Sequence, residues 1–130
     1  MQKISPLITT SKHQIEYCKS KWKVHDFEVW SGELICKVAV LCMEGSLLVW
    51  VGGDKAVLTE MALGMPQERG SLVTTLLGEE SSAAGLARRL ATKLQRPVYV
   101  CCGQTFDRFT APLVEKGIAI EMKEHPECFR

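Results

Sequence analysis

The sequence is poor in the features that announce chemistry. It has three histidines, none at a metal-ligand spacing such as His-Glu-x-x-His. His25-Asp26 could imitate part of a catalytic dyad, but neighbours on a strand point to opposite faces. Charge of one sign is also missing. The formal net charge is +1, which provides no field to gather nucleic acid or anionic lipid. Long apolar runs are absent because Lys37 and Glu44-Gly45 break them, so nothing matches a bilayer span. Met1–Thr10 shows no continuous apolar stretch of signal-peptide length.

What is present is an ordinary globular composition, 46% hydrophobic and 24% charged, in 130 residues. That length suits one core. Cys18, Cys36, Cys42, Cys101, Cys102 and Cys128 make an even count. Without an export signal they read as reduced, mostly buried thiols of a cytoplasmic protein, with the nucleus as a second location. Cys36 and Cys42 could share a sheet face, but zinc knuckles are lacking. Cys101 and Cys102 diverge if they lie on a strand. No metal, cofactor or catalytic residue is expected.

The chain divides into 1–23, an extension without clear periodicity, and a domain over 24–130. Strands are expected at Val24–Trp30, Leu34–Met43, Leu47–Gly52 and Leu72–Leu77, with Ala56–Leu63 a further strand or a short helix. The period then changes. Ser81 or Ser82 caps a helix whose Leu86, Leu90 and Leu94 form one stripe, flanked by Ala83, Ala87 and Ala91. Val98–Cys102 is a strand, and Thr110 caps a second helix lined by Val114, Ile118 and Met122. The sum is an α+β domain with both helices on one sheet face. Gly78–Gly85 sits where phosphates often bind, but Glu79 and Glu80 would repel an anion. Lys19, Lys21 and Lys23 around Trp22 are too few for a nucleic-acid footprint and fit an edge strand or a solvated arm.

A two-residue Glu44-Gly45 loop sets the register: Met43 opposite Ser46, Leu41 opposite Leu48, Ala39 opposite Trp50. One face is then wholly apolar and suits the core. The other carries Ala39, Leu41, Met43, Leu48 and Trp50, is still mainly apolar, and reads as a dimer interface. Arg88, Arg89 and Lys93 lie opposite the leucine stripe, facing solvent or a partner.

Ser-Leu-Leu-Val-Trp-Val-Gly at 46–52, Leu-Leu-Gly-Glu at 76–79 and Gly-Leu-Ala-Arg-Arg-Leu-Ala-Thr-Lys at 85–93 resemble the proteasome assembly chaperone 4 family. Pro-Val-Tyr-Val at 97–100, Glu-Met-Lys-Glu-His-Pro-Glu-Cys-Phe at 121–129 and His25-Asp26-Phe27 extend the likeness from about Val24 to Phe129. The resemblance implies an antiparallel sheet of about six strands with two helices. It also implies no catalysis and a heterodimer with proteasome assembly chaperone 3. That pair would support α-ring assembly of the 20S proteasome and leave before maturation. A homodimer is the alternative when the chain is alone. The competing functions are a small-molecule-binding domain and a thiol enzyme using Cys101 or Cys102.

Overall fold

The computed structural model describes residues 19–78, 82–104 and 106–130. Nine elements follow in order: β1 (Lys23–Ser31), β2 (Glu33–Met43), β3 (Ser46–Gly52), β4 (Glu60–Pro66), β5 (Ser71–Leu77), α1 (Ser82–Leu94), β6 (Val98–Cys102), α2 (Ala111–Glu124) and a terminal 3-10 turn, Pro126–Phe129. The strands form one sheet in the order β1-β2-β3-β6-β4-β5. The α+β class and the strand and helix numbers agree with expectation. One ladder does not: β3 pairs with β6 in parallel, so the sheet is mixed rather than purely antiparallel. The chain leaves β3, builds the β4-β5 hairpin and α1, and returns in the direction of β3, as helical crossovers generally do.

The register carries the alternation of side chains from strand to strand. Val38, Val40 and Cys42 stand opposite Val51, Val49 and Leu47. These in turn stand opposite Cys102, Val100 and Val98. All nine are buried and face the helices. The Glu44-Gly45 turn pairs Met43 with Ser46 and Ala39 with Trp50.

Both helices pack on this one face. In α1 the alanines make the closest approach: Ala87 and Ala91 are fully buried, as are the larger Leu86 and Leu90 to within a few per cent. Gly64 of β4 explains the intimacy, since a Cβ there would lie 2.3 Å from the Ala87 carbonyl oxygen. Leu94 is only partly buried. In α2, Val114, Ile118 and Met122 enter the core. No helix among the described residues is long and apolar enough to cross a membrane.

Two local expectations change. The stretch expected to run as one element from Ala56 to Leu63 is irregular through Thr59, and β4 begins at Glu60. Two hydrogen bonds tie the irregular part down: Trp50 Nε1 donates to the Val57 carbonyl at 2.9 Å, and the Thr59 amide donates to the Cys102 carbonyl at 2.9 Å. Thr110 occupies the cap position of α2, but its side chain makes no capping bond. Asp107 instead fixes the turn that leads into the helix, accepting from the Phe109 and Thr110 amides at 2.8 Å each. These bonds favour the ionised form and hold its carboxyl below the usual range. Ser81, the alternative cap of α1, and residues 1–18 of the extension lie outside the described residues, with Glu79, Glu80 and Thr105.

Candidate functional site: the open face of the sheet

Strand periodicity places every second residue on the side away from the helices. Ala39, Leu41, Met43, Leu48 and Trp50, expected to share a face, do so on this side, and all are half-buried. β6 adds Tyr99 and Cys101, which stand opposite Leu48 and Trp50. β4 adds Met61 and Leu63 through their pairing with Cys101 and Tyr99. β5 adds Leu72, paired with Met65 and 64% exposed. The contributions of β4 and β5 depend on sheet order, which sets β4 beside β6 and which local alternation does not carry.

Trp50 is held rather than loose. Its indole lies so close over Gly52 that a Cβ there would come within 2.4 Å of the ring, and a Cβ at Gly103 would come within 3.1 Å of it. The donated bond to Val57 fixes the ring's nitrogen end. Val57 and Leu58 extend outward from this segment and are exposed. Together Leu48, Trp50, Val57, Leu58, Met61 and Cys101 line a shallow groove of about 390 Å³. A rigid aromatic beside flexible methionines is the composition of an interface core.

The polar candidates are distributed differently. Arg88, Arg89 and Lys93 are all exposed on the outer side of α1. Arg89 is not free: its Nε donates to Glu115 Oε1 of α2, bridging the two helices. Beneath that bridge, Val51, Leu86, Cys102, Phe106 and Val114 line an apolar cleft of about 310 Å³. Among the described residues its charged lining groups are the paired Arg89 and Glu115.

Four thiols among the described residues, those of Cys36, Cys101, Cys102 and Cys128, are shifted away from the thiolate form. Cys36, Cys42, Cys101 and Cys102 are free and buried, and Cys128 is free and partly buried. Burial pushes the Cys36 thiol up to about 11. Burial first, then the nearby Glu60 carboxylate, pushes Cys102 up to about 12. Cys101 also rises through burial. A thiol enzyme needs the opposite shift. Cys101 and Cys102 do diverge, one to the open face and one to the core. Cys36 and Cys42 share the covered face, with Val38 and Val40 between them along β2. His25 and Asp26 point apart, His25 toward Glu121 of α2.

Among the described residues, one face of this open, mixed α+β sheet is roofed by helices, and the other is broad and mainly apolar and carries no helix. The family is shown by sequence: the chain belongs to the proteasome assembly chaperone 4 family, whose model matches residues 36–103. No curated protein matches the chain in sequence. Among solved structures it is similar to a chain of a chaperone complex for yeast 20S proteasome assembly, with 15% identity and a TM-score of 0.55. The match covers 82% of this chain and 93% of that one. At that identity the likeness concerns the fold.

Proposed function

We propose that the chain is a proteasome assembly chaperone that pairs through its open sheet face with a related chaperone of the proteasome assembly chaperone 3 kind, and that the pair supports α-ring assembly of the 20S proteasome without catalysis. Family membership supports the chaperone role. The unroofed apolar face, centred on the clamped Trp50, is the observation that carries the mode of pairing. An aromatic anchor at the centre of an apolar face is a usual source of interface affinity. The exposed Arg88 and Lys93 on α1 then remain available to an α-ring subunit while the sheet is engaged. Cytoplasm and nucleus are the proposed locations.

The test is Trp50→Glu combined with Leu48→Lys, read by circular dichroism and by sedimentation with the related chaperone. A folded variant that no longer pairs supports the reading. A folded variant that pairs with wild-type affinity removes this face from the proposal.

A further inference from the structure

An edge strand presents a row of backbone donors and acceptors with no ladder to complete, and natural sheets blunt that row with charge, proline, bulges or a covering element. The two edges of this sheet are treated differently. β1 carries Lys23, His25, Asp26 and Glu28, has a register shift between Val29 and Trp30, and is tied to α2 by the His25–Glu121 contact. β5, the other edge, reads Ser-Leu-Val-Thr-Thr-Leu-Leu. It has no charge, no proline and no glycine.

Among the described residues β5 pairs on one side only, with β4. Leu72, Leu76 and Leu77 are 64%, 48% and 45% exposed, and Met65, opposite Leu72, is exposed as well. The ladder to β4 shifts at one end, where Leu76 is the extra residue, and residues 71–75 stay in regular register. The strand is anchored from within: Val73 packs against the core, and Ser71 Oγ lies 2.7 Å from Thr92 Oγ1 of α1. A well-held, uncharged and apolar edge is therefore left open to a further strand.

We propose that the strand it takes is its own copy: two chains join their β5 strands antiparallel about a two-fold axis, and the two sheets become one. In such an isologous contact each strand must suit the same short list of residues that it presents. β5 does so. Whichever residue lies nearest the axis, every cross-strand pair is drawn from Ser, Thr, Val and Leu, so no like charges meet and hydroxyl or aliphatic pairs form. The chain enters the described fold at β1, about 24 Å from β5 at about 4.8 Å per strand step, so the edge nearest the segment before Lys19 is β1 and not β5. Antiparallel joining of two edges sets the axis normal to the sheet. Both helical roofs then lie on one side and both open faces on the other, which leaves Trp50 and its neighbours free for the related chaperone. A single strand pair with its flanking leucines is a small contact, so the dimer forms and dissociates with concentration.

The experiment uses the full chain alone. Self-association is followed by sedimentation across a wide concentration range, and amide hydrogen exchange is read along β5 at the two extremes. The variant is Thr74→Lys, at an exposed position, which places a charge in the middle of the edge. The expected result is a wild-type dimer at high concentration, slower exchange of β5 amides as it forms, and self-association about tenfold or more weaker in Thr74→Lys. Undiminished self-association in Thr74→Lys overturns the proposal, whichever surface carries it. So does a wild-type chain that stays monomeric throughout. Protection of β5 amides that does not change with concentration overturns it too, since the edge is then covered within one chain. Protection that appears only when the related chaperone is added gives the edge to that partner and not to a second copy. Should Thr74→Lys lose its fold by circular dichroism, Leu72→Lys takes its place in the same assays.

Discussion

The two faces of this sheet are built from nearly the same kinds of residue and end in different states. Along β2 and β3, Val38, Val40, Leu47 and Val49 are sealed beneath the helices, while Ala39, Leu41, Leu48 and Trp50, their immediate neighbours, are half-exposed. Composition does not separate the faces. Possession of a roof does, because both helices pack on one side. The covered face therefore serves stability, and the open face retains apolar surface that a partner can still remove from water.

The sharpest way to break this comparison is an adjacent pair. Leu47→Ala should cost about 2–5 kcal/mol, the range for a fully buried leucine, whereas Leu48→Ala should cost under about 1 kcal/mol in the isolated chain. Urea midpoints for the two variants measure the difference, and equal losses would mean that the open face is already covered in the free protein. Next in size is Gly64→Ala. Its new methyl meets helix backbone, which cannot swing aside, so a loss of about 1–3 kcal/mol is expected in the same assay. Recovery of native stability in that variant would show that α1 sits more loosely on β4 than the contact indicates.

Smaller effects lie on the outside of the roof. Arg89→Glu sets two carboxylates against each other at Glu115, but the pair is exposed, and the cost should be about 1 kcal/mol or less. Adding Glu115→Arg should return most of it, and a double variant no better than the single one would deny the bridge any energetic role.

The smallest effect concerns pH. Glu60 is 8% exposed, its Oε1 has no hydrogen-bond partner among the described residues, and burial raises its carboxyl above the ordinary 4.5. A carboxyl with a raised folded value holds its proton more tightly folded than unfolded. No penalty exists below about 4.5, and the penalty grows as pH rises through the folded value. Glu60→Gln should therefore gain on wild type as pH increases, by about 1 kcal/mol at most. Melting curves from pH 4 to 8 that differ by a constant amount would show that Glu60 is not the group responsible.

Much of this arrangement is legible in the sequence, because local rules dominate there. The Glu44-Gly45 turn and the flanking alternation place Ala39 against Trp50, and Pro97 with the Val-Tyr-Val-Cys-Cys run marks β6. Periodicity also finds the leucine and alanine faces of α1. It does not find sheet order, since the insertion of β6 between β3 and β4 depends on contacts made across some fifty residues, reading Leu47 against Val98. Nor does it find the start of β4, where a tryptophan donor and a carbonyl on β6 hold Ala56–Thr59 out of the ladder despite apolar side chains suited to a strand. Nor does it find the meeting of His25 with Glu121. Glu121 and His125 have the four-residue spacing that puts them on one helical face, but nothing near His25 says that β1 will lie beside that turn.

The place of β6 has a consequence for how the chain reaches its native state. Without that strand the sheet is two separate antiparallel pieces, β1-β2-β3 and β4-β5, which share no backbone hydrogen bond. Each piece closes by short hairpins and can form early, as local pairings do. Their union waits for Val98–Cys102, which emerges from the ribosome after both. Until then β3 and β4 each expose a raw edge, the state in which strands pair with the wrong neighbour. Five residues, Val-Tyr-Val-Cys-Cys, thus act as a keystone, and the order of synthesis makes them the last strand to arrive.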